Sequence, residues 1–220
     1  MPSDSSPLLP GLFNAEDEPF SFAPGAVLFR GFAASETQDI LAALERVTKQ
    51  APFRRMSTPG GRQMSVEMTN CGRYGWLTDR NGYRYEDRDP ESGKTWPAMP
   101  PLFRRLARSA AEHAGYPGFE PDSCLINQYR PGARLTLHQD RDEQDFSAPI
   151  VSFSLGLPAT FLFGGPKRSD RTQKILLTHG DALVWGGPSR LNHHGIQPLE
   201  EGRHPLVGDR RINLTFRKAR

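Results

Sequence analysis

Side chains that can bind a metal ion lie at the end of a short apolar run, residues 135–145, with the sequence LTLHQDRDEQD. His138 and Asp140 are two residues apart, and residues at that spacing in a strand point to the same side. Two histidines and one carboxylate on one face of a ferrous ion leave positions open for a co-substrate and dioxygen. The run therefore predicts two of the three ligands of such a site, and a later strand would supply the third.

The third ligand is expected among the histidines near the C-terminus. His193 and His194 are adjacent, so in a strand only one of them can face the ion. A rival H-x-D pair, His179 and Asp181, lies in the run THGDALVWGG. Gly-Asp between two strands most simply forms a hairpin turn, so we interpret this rival pair as structural.

The C-terminal run RINLTFR alternates polar and apolar side chains, which is typical of a strand. Arg211, Asn213 and Arg217 share one face of this strand. A solvent-exposed edge would give the same alternation, but two guanidinium groups on one face can also hold a small dicarboxylate. Asn127 and Tyr129 alternate in the same way in CLINQYR and can add hydrogen bonds. Beside an iron site, a dicarboxylate clamp indicates 2-oxoglutarate.

A basic stretch, residues 53–85, shows no convincing periodicity. It contains six arginines, while Glu67 and Asp79 are its only acids. Aromatic residues are interleaved with them: Phe53, Tyr74, Trp76, Tyr83 and Tyr85. Arginines for phosphates mixed with aromatics for bases are typical of a surface for single-stranded nucleic acid. The alternative is an irregular loop whose aromatic side chains pack into the core.

The elements around these residues predict an α+β protein. The sequence SETQ, residues 35–38, matches a capping box, and the apolar residues after it recur at helical spacing. A second helix is predicted from about Leu102 to Ala114. From Cys124 onward, short alternating runs are separated by Gly, Pro and Asp, which predicts many strands. Two helices thus lead into a β-rich half.

Composition limits the class of protein. The chain has 220 residues, of which 36% are hydrophobic, enough for one domain with a core. Its net charge is only +3, so an anionic partner depends on local clustering of arginines. The two cysteines, Cys71 and Cys124, exclude a disulfide framework and fit a reducing cytoplasm. We expect no signal peptide and no membrane span.

Long stretches of the chain resemble the AlkB-type iron- and 2-oxoglutarate-dependent nucleic-acid dealkylases. The resemblance covers about residues 52–217 and is carried by MSVEMTNCG, GYPGFEPDSCLINQYRPGARLTLHQDRDE, SLGLPATFLFGG, HGIQPL and RINLTFR. It implies a double-stranded β-helix (jelly-roll) core of roughly eight strands with an N-terminal nucleotide-recognition lid. The expected units are a flexible or extended arm (1–25), the helices plus the lid (26–123) and the jelly-roll dioxygenase core (124–220).

The resemblance also implies a role for individual residues. The iron ligands would be His138, Asp140 and His194. The contacts to 2-oxoglutarate would be Asn127, Tyr129, Arg211, Asn213 and Arg217. The contacts to the substrate nucleotide would be Trp76, which stacks on the damaged base, Tyr83, Arg84 and Tyr85 in the lid, and Asp142 and Arg168. Compared with one member of the family, this chain has Asn192–His193 in place of an aromatic pair before the distal histidine, and Arg134 and Arg141 in place of lysines.

The implied activity is oxidative dealkylation of 1-methyladenine and 3-methylcytosine, with Fe(II) as cofactor and 2-oxoglutarate and O2 as co-substrates. Formaldehyde and succinate are the products. The methylated base must leave the stack to reach the iron, and Asp142, with Glu143, would suit its positive charge. The expected partner is alkylated single-stranded DNA, with double-stranded DNA and RNA as open alternatives, and the expected oligomeric state is a monomer. The alternatives are an oxygenase of the same fold acting on a protein or a small molecule, and a binding module without catalysis.

Overall fold

The computed structural model describes residues 19–220, which form two α-helices and fourteen strands. The helices are α1 (Thr37–Gln50) and α2 (Pro101–His113). The strands are β1 (Phe20–Ala23), β2 (Ala26–Phe29), β3 (Arg54–Ser57), β4 (Gln63–Gly72), β5 (Gly75–Asp79), β6 (Gly82–Glu86), β7 (Ser123–Tyr129), β8 (Leu135–His138), β9 (Ile150–Gly156), β10 (Ala159–Phe163), β11 (Gln173–Leu177), β12 (Ala182–Trp185), β13 (His194–Ile196) and β14 (Arg211–Arg217). Residues 1–18 of the predicted arm (1–25) lie outside the described residues. Strand β1 forms within the described part of that arm.

The strands form two larger sheets and one hairpin. The large sheet has the order β1-β2-β12-β9-β14-β7-β4-β3, the small sheet has the order β11-β10-β13-β8, and β5 pairs with β6. Strand β14 lies between β9 and β7, in the interior of the large sheet, and all seven of its residues are buried. The polar face of RINLTFR is therefore not a solvent-exposed edge.

Both helices pack on one face of the large sheet. In α2, Phe103, Leu106 and Ala110 are buried at helical spacing, and they join a core cluster that includes Ile126 and Phe216 of the sheet. Burying a Phe, Leu or Ile side chain contributes about 1.5–3 kcal/mol. None of the described helices is long and apolar enough to cross a membrane.

The other face of the large sheet packs against the small sheet. Leu125 and Ile150 of the large sheet share a core cluster with Phe161 and Ile196 of the small sheet. Because side chains alternate along a strand, the residues of β7 that follow Leu125 on this face, Asn127 and then Tyr129, also lie between the sheets. The gap between the sheets is where the candidate site lies.

The basic stretch, predicted to lack regular structure, instead contains strands β3 to β6. Val66 and Met68 are buried on β4, while Ser65 is exposed and Glu67 half-buried, so the stretch does alternate. The prediction was wrong for two reasons. Met64, Val66 and Met68 do alternate in β4, and this pattern was overlooked. Strands β3, β5 and β6 are only four or five residues long and contain Arg or Gly, so they carry little alternation.

Two local predictions were also wrong. The capping box does not form: α1 begins at Thr37, with Glu36 rather than Ser35 at the N-cap position, and has no side-chain cap bond among the described residues. The Thr37 hydroxyl donates to the carbonyl of Ala34 and contacts the ring of His179. The HGD turn is not a hairpin either. It connects β11 of the small sheet to β12 of the large sheet, so the strands on its two sides do not pair.

Candidate active site

A cavity of about 510 Å³ opens between the two sheets beside the hairpin β5–β6. Cavities of this size hold small-molecule ligands. Twelve of the fourteen residues assigned to the site by resemblance line it: Trp76, Tyr83, Asn127, Tyr129, His138, Asp140, Asp142, Arg168, His194, Arg211, Asn213 and Arg217. Arg84 and Tyr85 do not line it.

Three candidate metal ligands meet on one wall of the cavity. His138 ends β8 and is the direct cross-strand partner of His194 on β13, and Asp140 follows β8 by two residues. Nε2 of His138 lies 3.7 Å from Oδ1 of Asp140, and Nε2 of His194 lies 3.8 Å from Oδ2. The three ligand atoms lie within 4.8 Å of one another, so one ion can contact all three.

Hydrogen bonds orient both imidazoles toward that point. Nδ1 of His138 lies 2.8 Å from the carbonyl of Thr136, and Nδ1 of His194 lies 3.0 Å from the carbonyl of Asn192. A carbonyl only accepts, so each Nδ1 carries the proton and each Nε2 presents a lone pair to the centre. Burial, reinforced by His138, lowers the pKa of His194 to about 4. His194 is therefore neutral at pH 7, as a metal ligand must be.

Asp140 stays ionised because of its neighbours. Burial alone would raise its pKa, but Arg217 and then the two histidines hold that pKa well below its usual range. Nε and Nη2 of Arg217 donate to Oδ2 of Asp140 at 2.9 and 2.8 Å. The third nitrogen of Arg217, Nη1, is buried and has no hydrogen-bond partner in the part of the chain that the structure describes. Two nitrogens thus fix the guanidinium and leave one free beside the cavity.

Arg211 is a buried cation without a carboxylate partner. It is 1% exposed, and its only side-chain hydrogen bond among the described residues is from Nη2 to Ser154 Oγ at 2.9 Å. Its guanidinium lies 4.9 Å from the centre of the Tyr129 ring, while Nε and Nη1 have no hydrogen-bond partner within residues 19–220. Burial lowers the pKa of Arg211, because a charged group is less stable away from water.

The register of β7 and β14 brings the polar residues together. Arg211 is paired with Tyr129, and Asn213 with Asn127. Asn213 Nδ2 donates to Ser152 Oγ at 2.7 Å, while Oδ1 of Asn127 is buried without a partner. The metal-ligand cluster, the two arginines and these amides therefore line one cavity with unused donors and an unused acceptor. The unused arginine donors fit a small anion with several oxygen atoms, whereas Oδ1 of Asn127 only accepts and fits a donor instead.

The hairpin supplies the aromatic part of the cavity. Trp76 and Tyr83 are stacked with ring centres 5.8 Å apart and planes 22° apart. Trp76 Nε1 donates to Oδ2 of Asp142 at 2.8 Å. Asp142 is half-buried, and no hydrogen bond engages its Oδ1 among the described residues. An indole and a carboxylate with a free oxygen thus lie at the cavity wall beside the metal-ligand cluster.

Two residues assigned to the lid point elsewhere. Arg84 binds the carboxylates of Asp79 and Glu86 on its own hairpin. Tyr85 is 3% exposed, and its hydroxyl donates to Oε1 of Glu143 at 2.6 Å. Burial raises the pKa of Tyr85 well above its usual value, so this hydroxyl remains a donor at neutral pH.

Glu143 is not the free anion that the sequence suggested. Besides Tyr85, it binds Nη2 of Arg190 at 3.1 Å and approaches Nε of Arg217 at 3.4 Å. The expectation was wrong because these three partners come from elements distant in the sequence. Arg190 itself was not predicted, and nothing in its surrounding sequence WGGPSR distinguishes it from a surface arginine.

The rival H-x-D pair lies away from this cluster. Nδ1 of His179 accepts the amide of Gly156 at 3.0 Å, and Nε2 contacts Thr37 Oγ1 at 2.8 Å. Asp181 binds Nη1 of Arg30 at 2.6 Å. Both ring nitrogens of His179 are thus used in contacts that stabilise the fold, in agreement with the prediction that this H-x-D pair is structural.

Comparison with known proteins places these features in a family. The family model of the 2OG-Fe(II) oxygenase superfamily matches residues 25–217. The alpha-ketoglutarate-dependent dioxygenase AlkB of Salmonella typhimurium is 58% identical over 93% of this chain and 96% of its own length. The AlkB protein of Escherichia coli is 57% identical over the same shares of both chains.

Solved structures agree in fold. The structure of OsALKBH1 superposes with a TM-score of 0.81 at 30% identity, over 91% of this chain and 100% of the other. An oxidoreductase of the 2OG-Fe(II) oxygenase family from Burkholderia pseudomallei has the same fold, with a TM-score of 0.54 at 14% identity and coverage of 87% and 84%. The match along almost the whole chain, together with the His-Asp-His cluster, identifies the protein as an AlkB-type member of the 2OG-Fe(II) oxygenase superfamily.

Proposed function

We propose that this dioxygenase removes alkyl groups from nucleic-acid bases, with His138, Asp140 and His194 as the ligands of Fe(II). The observation that carries the co-substrate assignment is the buried guanidinium of Arg211, whose Nε and Nη1 have no partner beside the cavity. A buried cation that lacks a counter-ion indicates a ligand that supplies one. A carboxylate of 2-oxoglutarate has the charge and the size required.

The chain's residues prepare the cavity for this co-substrate. Arg217 is oriented by Asp140, so its free Nη1 has a fixed direction. The side-chain amide of Asn127, whose Nδ2 can donate to a carboxylate, and the ring of Tyr129 lie on the strand next to both arginines. When bound, Fe(II) with 2-oxoglutarate and O2 would supply the oxidation that hydroxylates an N-methyl group, which then leaves as formaldehyde, while 2-oxoglutarate is converted to succinate and CO2.

The hairpin and the acidic turn are the proposed site of the base. Trp76 offers a surface on which a base can stack, a contact of about 1–3 kcal/mol. Asp142 keeps one carboxylate oxygen free while Trp76 holds the other, which suits the positive charge of 1-methyladenine or 3-methylcytosine. Arg168 also lines the cavity and is exposed, so it can reach a phosphate of a base that has left the stack.

The two facing sheets support the assignment of a double-stranded β-helix core, and the hairpin β5–β6 is the proposed nucleotide-recognition lid. Relatives named for activity on nucleic acids support the substrate class. They include a DNA N(6)-methyladenine demethylase of Arabidopsis thaliana, 31% identical over 88% of this chain and 49% of its own length. We also propose, from the sequence, that the enzyme prefers single-stranded substrates and acts as a monomer.

The test is formaldehyde release from an oligonucleotide that contains 1-methyladenine, with and without 2-oxoglutarate. Asp140→Asn should abolish release. Asp181→Asn is the matched control, since Asp181 is also a buried H-x-D aspartate bound to an arginine, but outside the cavity. It should lower the melting temperature and keep the turnover of the folded fraction.

Formaldehyde release that does not require 2-oxoglutarate would contradict the proposed chemistry. Equal losses in Asp140→Asn and Asp181→Asn, compared at equal folded fraction, would contradict the metal-site assignment. Succinate formation on a protein or a small molecule, with no release from any methylated oligonucleotide, would identify an oxygenase of the same fold with another substrate.

A further inference from the structure

A buried network of ion pairs joins the hairpin to the metal-ligand cluster. Its centre is Arg190, which follows a short 3-10 helix, Gly187–Ser189, and is 3% exposed. Arg190 donates from Nη1 to the carbonyl of Asp140 at 2.7 Å, from Nε to the carbonyl of Ala148 at 3.0 Å and from Nη2 to Glu143 at 3.1 Å. It therefore holds the main chain of a candidate metal ligand and a buried carboxylate at once.

Glu143 closes the network into a ring. Its Oε1 lies 3.4 Å from Nε of Arg217, and Arg217 donates to the side chain of Asp140. The ring thus runs from the main chain of Asp140 through Arg190, Glu143 and Arg217 to the side chain of Asp140. Two cations face two anions, so the ring is neutral before any ligand binds, and each buried charge has a partner, as burial requires.

The hairpin is attached to this ring. Tyr85 on β6 donates to Oε1 of Glu143 at 2.6 Å, and its direct cross-strand partner is Trp76 on β5. Trp76 donates to Asp142, the residue before Glu143. The same short turn of the chain therefore binds the hairpin at two points, one at the cavity and one in the interior.

We propose that Tyr85, Glu143 and Arg190 are positioning residues that fix Arg217 and Asp140 for binding of 2-oxoglutarate and metal. The proposal rests on the function given above, in which Arg217 contacts the co-substrate. The ring determines which nitrogen of Arg217 is left for a ligand, because Asp140 and Glu143 engage Nε and Nη2. Through Tyr85, the position of the hairpin that carries Trp76 is coupled to the position of Arg217.

The chemistry distinguishes positioning from simple stabilisation. If the ring served only to stabilise the fold, loss of the Tyr85 hydroxyl would lower the melting temperature and leave the 2-oxoglutarate affinity of the folded protein unchanged. If the ring positions Arg217, the affinity itself must fall. Substitutions at Tyr85 and Arg190 must also act through the same carboxylate, so their effects cannot be independent.

The experiment measures 2-oxoglutarate binding to the full chain by calorimetry, with Mn(II) in place of Fe(II) so that no turnover occurs. Tyr85→Phe and Arg190→Lys should each weaken binding about tenfold, which corresponds to about 1.4 kcal/mol. The double variant should also lose about tenfold rather than a hundredfold. Tyr116→Phe is the control: its hydroxyl donates to the carbonyl of Gly25 at 2.8 Å, away from the cavity, and its 2-oxoglutarate affinity should match the parent's.

Unchanged affinity in both single variants, with weakened affinity in Arg217→Met, would overturn this inference and leave the proposed function intact. Effects that multiply to a hundredfold in the double variant would overturn the coupling through Glu143. Unchanged affinity in Arg217→Met would overturn the co-substrate site and the inference together. Should Arg190→Lys fail to fold, Glu143→Gln, which keeps the size of the side chain, replaces it in the same comparison and must show the same tenfold loss.

Discussion

Arg211 and Arg217 occupy the same face of one strand, yet their surroundings predict opposite effects on stability when each is replaced by methionine. Arg217 has two carboxylate neighbours, Asp140 and Glu143. Arg211 has none, and two of its nitrogens are unpartnered. A sequence comparison of the two positions would predict equal behaviour, so the pair is a direct test of the structural reasoning.

The expected magnitudes follow from these contacts. Leaving buried polar atoms unsatisfied costs about 1–3 kcal/mol, partly offset by the hydrogen bond to Ser154 and the contact with Tyr129. Arg211→Met should therefore stabilise the protein without 2-oxoglutarate by about 1 kcal/mol, or about 2–4 °C in melting temperature. Arg217→Met should destabilise it by about 3–5 kcal/mol, because two buried carboxylates lose a partner.

Binding of 2-oxoglutarate should make the parent more stable than Arg211→Met, the reverse of their order without the ligand. At a ligand concentration of 100 times the dissociation constant, the parent gains about 2.7 kcal/mol, while the variant gains almost nothing. Thermal unfolding with Mn(II), with and without 2-oxoglutarate, measures both effects. Arg211→Lys, which keeps the charge but loses the planar fork, should retain a small ligand-induced shift.

A lower melting temperature of Arg211→Met without ligand would refute the idea that this guanidinium is unsatisfied. An undiminished shift with 2-oxoglutarate would refute its role as the co-substrate's counter-ion. Either result would remove the observation on which the co-substrate assignment depends, even if the enzyme remained active.

The remaining predictions concern the metal ligands and the base. His194→Ala should abolish iron-dependent turnover. His193 lines the cavity but lies outside the ligand cluster, so His193→Ala should keep most of the turnover. Formaldehyde release at saturating Fe(II) measures both, and loss of activity in His193→Ala alone would exchange the two assignments. Trp76→Phe keeps an aromatic face but loses the hydrogen bond to Asp142, whereas Trp76→Ala loses both. Oligonucleotide affinity should therefore fall less in Trp76→Phe than in Trp76→Ala, and the melting temperatures of both variants should stay within a few degrees of the parent's. Asp142→Asn should lower turnover of cationic 1-methyladenine more than that of neutral 1-methylguanine in one set of oligonucleotides, and equal losses would contradict the charge argument.

The sequence predicted the parts of the fold in which short alternating or apolar runs are separated by Gly, Pro and Asp. Seven runs from Cys124 onward, CLINQYR, RLTLH, PIVSFSLG, ATFLFGG, QKILLT, DALVWGG and RINLTFR, are confirmed as strands β7 to β12 and β14. RLTLH, PIVSFSLG and RINLTFR alternate clearly, whereas DALVWGG is a short continuous apolar run, as a strand buried on both faces can be. Strands β3 to β6 were not predicted, because the alternation of β4 was overlooked and the other three are short and contain Arg or Gly. Strand β13 was also missed, because it is only three residues long and has pairing partners on both sides that no local pattern can indicate.

The ion-pair partners in the site were beyond local sequence reasoning for a related reason. Glu143 stands in a run of acids that has the composition of a solvated turn, yet it is 6% exposed. Its partner Tyr85 lies 58 residues away and Arg190 lies 47 residues away. A buried carboxylate needs such partners, but only the packing of the hairpin against the large sheet determines which residues supply them.

The two H-x-D pairs show what a local motif can and cannot specify. His138 and His179 are each followed two residues later by an aspartate that binds an arginine, so spacing and charge do not separate them. They differ in pairing. His138 ends a strand whose neighbour presents His194 directly opposite, whereas the ring of His179 is already occupied by the amide of Gly156 and the hydroxyl of Thr37. A ligand set requires free lone pairs that converge, and here the register of two short strands, rather than the motif, produces that convergence.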